Sequence, residues 1–120
     1  MANPNIVNVS TINGKTETFD LSTTLTTALV SNSSSSGKIF KINTIIITNI
    51  DGTNAADVTI KYNDGTNVRA IANTISVPAD SSLVLIDKNS SFYVLEGCDI
   101  QGGASAASDL TCLISYEEIS

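Results

Sequence analysis

The chain contains no histidine and no tryptophan, only two cysteines, and six basic residues against twelve acidic ones. Each shortage removes a class of function. Without histidine the commonest general base, nucleophile activator and metal ligand is missing, which excludes Ser-His-Asp and Cys-His arrangements. A formal net charge of −6 argues against nucleic acid as a partner, because that affinity rests on Lys and Arg neutralising phosphates. Cys98 and Cys112 are too few for a disulfide framework and have no Cys or His at metal-ligand spacing. Cys112 falls in the core phase of its strand and reads as a small buried thiol. No run approaches the roughly 18 consecutive apolar residues of a membrane span. The opening Met1-Ala2-Asn3-Pro4-Asn5 shows neither the basic patch nor the apolar core of a secretory signal, so the expectation is a protein made and kept in the cytoplasm, with no membrane partner.

What the chain does have is Ser, Thr and Asn at its polar positions and only 15% charged residues, a composition of strands and polar turns rather than of helices laced by ion pairs. Its longest apolar stretch, Ile39 to Ile50 (IFKINTIIITNI), is rich in β-branched residues and bounded by Gly37 on one side and Asp51-Gly52 on the other, which predicts a central strand. Strict alternation puts Phe40, Ile42, Ile46 and Ile50 on one face with Thr44 and Thr48, and Ile39, Lys41, Asn43, Ile45, Ile47 and Asn49 on the other. With the first face aimed at the core, Ile45 and Ile47 need a cover. Leaving each in water would forgo about 1.5 to 3 kcal/mol, so these two residues are expected to lie under a loop of the same chain or in a subunit contact, and they are the candidate subunit interface.

Ile6, Val7 and Val9 are expected to open a strand that turns at Asn13-Gly14 and returns through Thr16, Thr18, Phe19 and Leu21. Ser22 to Ser31 reads as a further strand and Asn32 to Gly37 (NSSSSG) as an exposed loop. Asp51-Gly52-Thr53-Asn54 recurs as Asp64-Gly65-Thr66-Asn67; the repeat marks two turns of one type bracketing a strand whose Val58, Ile60 and Tyr62 face inward. Val68 to Val77 continues the meander until Pro78 ends it. Leu83 to Ile86 and Phe92 to Leu95 read as short strands buried on two faces or lining a junction, and joined by a hairpin loop at Asp87 to Ser90. Gln101 to Ser108 (QGGASAAS) reads as a small-residue loop, and a last strand turns Leu110, Cys112, Ile114 and Tyr116 inward. The sum is one all-β domain over residues 1 to 120: an antiparallel β-sandwich of about eight or nine strands, jelly-roll-like, with a closed barrel as the alternative.

Little chemistry is written into these residues. Glu117-Glu118 is the adjacent acidic pair, but neighbours on a strand point to opposite faces and cannot flank one bond. The Asp51 turn offers oxygen atoms without the alternating ligands and distal Glu of a calcium loop. Gly102-Gly103 lacks the context of a phosphate cradle. Phe40, Phe92 and Tyr62 sit in core phase rather than as a stacking platform. No catalytic residue, cofactor or metal is expected.

Ala2-Asn3-Pro4-Asn5-Ile6-Val7, Gly37-Lys38-Ile39-Phe40-Lys41-Ile42-Asn43, Ile75-Ser76-Val77-Pro78-Ala79-Asp80-Ser81-Ser82-Leu83 with Leu85-Ile86-Asp87-Lys88, and Ser115-Tyr116-Glu117-Glu118-Ile119 together resemble the small virion structural proteins of tailed phages, marine cyanophages especially. The resemblance covers most of the chain. Where such relatives read Glu-Gly-Asp, this chain has Glu96-Gly97-Cys98-Asp99. The resemblance implies a non-enzymatic particle component, of the kind that decorates or cements the capsid exterior by repeated weak contacts with the major capsid protein, as a homo-oligomer and by expectation a trimer. A tail, collar or fibre-associated protein is the alternative, and a carbohydrate-binding module a third.

Overall fold

The structure is a computed structural model and describes residues 9 to 120. Its strands are β1 (Ile12–Asp20), β2 (Ala28–Ser31), β3 (Ile39–Asn49), β4 (Ala56–Asn63), β5 (Val68–Val77), β6 (Ser82–Ile86), β7 (Phe92–Val94), β8 (Asp99–Ala104) and β9 (Leu110–Ile119), with one turn of 3-10 helix at Lys88–Ser90. One sheet has the order β1-β9-β3-β6 with β7 also on β3, and the other has the order β2-β8-β4-β5. All pairings are antiparallel. With β6 and β7 counted as one interrupted edge strand, these orders are those of an eight-stranded jelly roll. The expected β-sandwich is therefore present, in its jelly-roll form.

The core fills the space between the sheets with Ile42, Ile45, Ile47, Val58, Ile60, Ile100, Leu110 and Ile114, all at 0% exposure. Inward residues alternate on β9 as the sequence predicts: Leu110, Cys112, Ile114 and Tyr116 are buried. On β4, Val58 and Ile60 are buried and Tyr62 packs against the core. Phe40 stacks on Tyr116 at 5.2 Å between ring centres, and Tyr62 meets Phe92 edge-on at 5.8 Å. Cys112 is a free thiol in this core, pushed up to about 12 by burial.

The central strand departs from strict alternation, and this reverses the assignment of Ile45 and Ile47. The register of β3 on β9 shifts between Ile42 and Thr44, so that Asn43 is the extra residue of a β-bulge. Phe40 and Ile42 face the core before the bulge, and Ile45, Ile47 and Asn49 face it afterwards. Ile45 and Ile47 are thus interior to the chain and offer no surface to another subunit. Ile46 takes the outward position, and Ile50 lies beyond the strand at 59% exposure. A single inserted residue flips every later side chain, and the four apolar residues Ile42, Ile45, Ile46 and Ile47 suit either phase.

Other expectations change for identifiable reasons. Asn13-Gly14 is no turn: both residues lie inside β1, paired with Glu118 and Glu117, and Gly14 is not among the glycines with positive φ. The expected opening strand falls partly on Ile6 and Val7, outside the described residues, and Val9 is not in a strand. Only Ala28–Ser31 of the Ser22 to Ser31 stretch is strand. The segment before it crosses the glycines of β8, with Gly102 N–H donating to the Thr27 carbonyl and Ala104 N–H to that of Ser22. Gln101 to Ala104 is a strand and not a loop because it pairs with Val58 to Lys61 of β4 on one side while this segment meets its other side. A Cβ on Gly103 would lie 2.6 Å from the Ser22 carbonyl oxygen, and one on Gly102 would lie 2.6 Å from that of Thr59. The small residues there mark close backbone approach. Asp87 to Ser90 joins two strands that both pair with β3 and not with each other, so it is not a hairpin. Val84 and Tyr93 on those strands are exposed, at 58% and 37%, so neither strand is buried on both faces.

The DGTN repeat sets the same Asp hydrogen bonds twice, but the two turns are not of one type: Gly65 has a φ of 90°, whereas Gly52 is not among the glycines with positive φ. Asp51 accepts from the N–H of Thr53 at 2.8 Å and of Asn54 at 3.3 Å, and Asp64 accepts from Thr66 at 2.9 Å and Asn67 at 2.7 Å. These backbone donors hold both carboxyl groups below the usual range. Asp64 closes the β4–β5 hairpin, whereas Asp51 closes the step from one sheet to the other.

Two buried asparagines hold the irregular segments. Asn49 donates to the carbonyls of Asn54 at 3.0 Å and Val77 at 2.9 Å, and accepts from Asp51 N–H at 2.9 Å. Asn32 donates to those of Lys38 at 2.8 Å and Val94 at 3.1 Å, and accepts from the Ser36 hydroxyl at 2.6 Å. Each side chain thereby ties loop backbone to the last residue of a strand, Val77 of β5 or Val94 of β7.

Two outcomes follow from this packing. Ile45→Asp or Ile47→Asp, each burying a charge without a partner, should abolish folding or cost more than about 4 kcal/mol in urea denaturation, whereas Ile46→Asp should cost less than about 1.5 kcal/mol. Gly103→Ala should destabilise by about 2 kcal/mol or more in the same measurement, because backbone on the neighbouring segment must move.

Candidate interaction surface

The bulge in β3 builds the outer face of the five-stranded sheet. Ile46 lies opposite Val84 of β6 and Leu113 of β9, and Leu113 lies opposite Thr18 of β1. The result is one transverse row, Val84, Ile46, Leu113 and Thr18, crossing four strands. Hydroxyl rows flank it. Ser82, Thr48 and Thr111 form one, with the Thr48 and Ser82 oxygens 3.1 Å apart. Thr44, Ser115 and Thr16 form the other, with Thr16 and Ser115 at 3.4 Å. Beyond it, Asn43 of the bulge donates to Glu117 at 3.1 Å. An apolar strip flanked by hydroxyl rows, with Asp20 at the β1 end of one of them and Glu117 beyond the other, has the anatomy of a protein interface. Nothing in these rows is arranged for bond making.

The sequence reading sought an outward surface on β3 and named Ile45 and Ile47; the residues in that place are Ile46 and its neighbours Val84 and Leu113. The signal that could have pointed there is Asn43, a polar residue that interrupts the apolar run where the bulge sits.

Glu117 and Glu118 lie on opposite faces, as their adjacency on a strand requires. Glu118 is buried on the inner side and bridges three strands: Lys38, just before β3, lies 2.7 Å from one oxygen and Lys15 of β1 lies 3.0 Å from the other. Bonds from Lys38 first, and then Lys15, hold the Glu118 carboxyl below its ordinary range. Beside it, Tyr116 donates to Glu17 at 2.7 Å; burial and that bond push the phenol up. Elsewhere, a depression of about 200 Å³ is lined by Thr23, Leu25, Asp57, Thr59, Thr74, Ala104 and Ser105, with no aromatic ring against which a sugar could stack. Among the described residues no group of His, Cys, Asp or Glu is placed to hold a metal, and no helix is long and apolar enough to cross a membrane.

Because its carboxyl is depressed in the folded state, Glu118 contributes stability above its ordinary pKa of 4.5 and loses it as pH falls through the lower folded value. Glu118→Gln should therefore flatten the fall in stability below about pH 4.5 and lower stability at neutral pH. Urea midpoints at pH 7, 4.5 and 3 measure both.

No protein-family model matches the chain, and no curated protein matches it. Two solved structures similar to it are each described as a pentameric capsid protein isolated from metagenomic phage sequences. The first is 17% identical with a TM-score of 0.40, over 85% of this chain and 63% of that one. The second is 18% identical with a TM-score of 0.42, over 85% of this chain and 58% of that one. The chain thus spans about three-fifths of their length, and at these TM-scores the likeness carries no argument about what it does.

Proposed function

We propose that the chain is a structural component of a phage particle, acting as a decoration or cement subunit that lies on the capsid and holds neighbouring capsid proteins together. The observation that carries this reading is the outer face of the five-stranded sheet, where Val84, Ile46 and Leu113 form a continuous apolar strip inside rows of Ser and Thr. A sheet face of this kind is suited to adhesion. The sequence resemblance to virion proteins of tailed phages supports the same reading. The binding partner is the major capsid protein, and the contribution is adhesive. Each contact is modest, and repetition over a symmetric lattice supplies the avidity.

The jelly roll suits this role mechanically. Two sheets packed through a dry core hold the outer face rigid, so docking orders few side chains and costs little entropy. Glu118 links the three strands β1, β9 and β3 that carry most of that face.

Cryo-electron microscopy of particles should find the protein in many symmetry-ordered copies on the head, with the β6-β3-β9 face against the capsid shell. A position confined to the tail or neck would reject the capsid role and favour the tail-associated one. Val84→Glu with Ile46→Glu should leave the isolated protein folded and lower its occupancy on particles at least about tenfold, as expected for removing two central apolar contacts.

A further inference from the structure

We infer that β1 is a self-association edge, through which two copies of the chain join their five-stranded sheets into one continuous sheet across a two-fold axis. This does not depend on where the protein sits on a particle, and it stands on four observations.

The first is that β1 is a long edge left open. Its nine residues pair with β9 on one side without a register shift and, among the described residues, with no strand on the other, and only Phe19 among them is half-buried. The remaining edges are blunted, as isolated sheets require. The far edge of the same sheet is split into β6 and β7, of five and three residues. β2 has four residues and a register shift. The pairing of β5 with β4 shifts register twice, and Thr74 in β5 has a φ of 54°.

The second is which backbone groups the edge presents. Thr11 and Ser120 exchange both hydrogen bonds, at 3.0 and 2.9 Å, and Leu21 N–H donates to Leu110. Odd-numbered residues of β1 therefore point their N–H and C=O groups at β9, and by alternation Gly14, Thr16 and Thr18 point theirs outward. A two-fold axis at Thr16 places Thr16 against its own copy and Gly14 against Thr18, in positions that exchange about six hydrogen bonds.

The third is charge. The same axis sets Lys15 opposite Glu17 of the second copy, and the reverse, so that opposite rather than like charges face each other across the contact while each side chain keeps its partner on β9. Moving the axis to Gly14 or Thr18 places Lys15 opposite Asn13 or Leu21 and forms no such pair. The fourth is that these charges do not guard the edge. Lys15 reaches back to Glu118 at 3.0 Å, and Glu17 reaches back to the Tyr116 hydroxyl at 2.7 Å, so both side chains lean over β9. Gly14 leaves the outer face bare, since a Cβ there would meet nothing within 4 Å. A ring built by pairing β1 with the neighbour's β6 would instead match nine residues to five and leave Lys15 and Glu17 without partners across the contact.

Sedimentation equilibrium of the full chain tests this. The expected mass is that of two copies at about 100 μM, dissociating on dilution. Thr16→Pro removes an outward donor and no bond to β9; it should keep the far-UV spectrum and lower the association constant at least about tenfold. In the unaltered protein, exchange of the Gly14, Thr16 and Thr18 amides should slow as concentration rises. A monomer at about 100 μM, a mass of three or five copies, or a dimer with these amides still freely exchanging overturns the inference. If Thr16→Pro fails to fold, amide exchange in the unaltered chain decides alone. None of these results bears on the location of the protein on a particle.

Discussion

The pairing of β3 with β9 is the constraint on which the rest depends. It runs from Ile39 opposite Ile119 to Asn49 opposite Leu110, with one residue inserted at Asn43. Both strands are central, so their inner faces supply Ile42, Ile45, Ile47, Leu110 and Ile114 to the core, and their outer faces supply Ile46 and Leu113 to the surface. The bulge allows one strand to do both. Without it, either Phe40 and Ile42 or Ile45 and Ile47 would face water, at about 1.5 to 3 kcal/mol for each residue.

The outer strands hang from this pair, and their differences divide the molecule's labour. On one side β6 and β7 share the edge of β3, short and interrupted; on the other, β1 runs the whole length of β9 and is hardly buried. β6 lies near β5 of the facing sheet, which leaves β1 at the end occupied by the four-residue β2. That asymmetry explains why β1 carries Lys15 and Glu17 on its inner side, where a covered strand would carry apolar residues. Its attachment relies instead on the β9 ladder, Glu118 and Tyr116.

Much of this was legible in the sequence, and what was not has physical causes. The alternation on β4 and β9 survives because the two faces of the pattern are mostly distinct: Val58 and Ile60 alternate with Asp57, Thr59 and Lys61, and on β9 only Leu113 interrupts an outer face of Thr111, Ser115 and Glu117. On β3 the run Ile45-Ile46-Ile47 carries no such contrast, so its phase is set by the bulge at Asn43 and by pairing with β9, which is tertiary information. Asn13-Gly14 has strong turn propensity, but nine paired positions on β9 outweigh a local preference. Gly102 and Gly103 resemble loop residues because the reason for their smallness, backbone from Ser22 to Thr27 crossing over them, lies about 80 residues away in the chain. The edge role of β1 was hidden for the same reason: which strand ends a sheet is a property of topology, and composition does not record it.

The central claim is that β3 changes phase at Asn43, placing Ile46 on the surface and Ile45 and Ile47 in the core. Cysteine labelling reads that phase directly. In the native protein at neutral pH, a cysteine at position 46 should react with a maleimide within minutes, while cysteines at 45 and 47 should react only on unfolding, with Cys98 and Cys112 protected throughout. Rapid native labelling at 45 and 47 with protection at 46 would contradict the account, returning Ile45 and Ile47 to the surface.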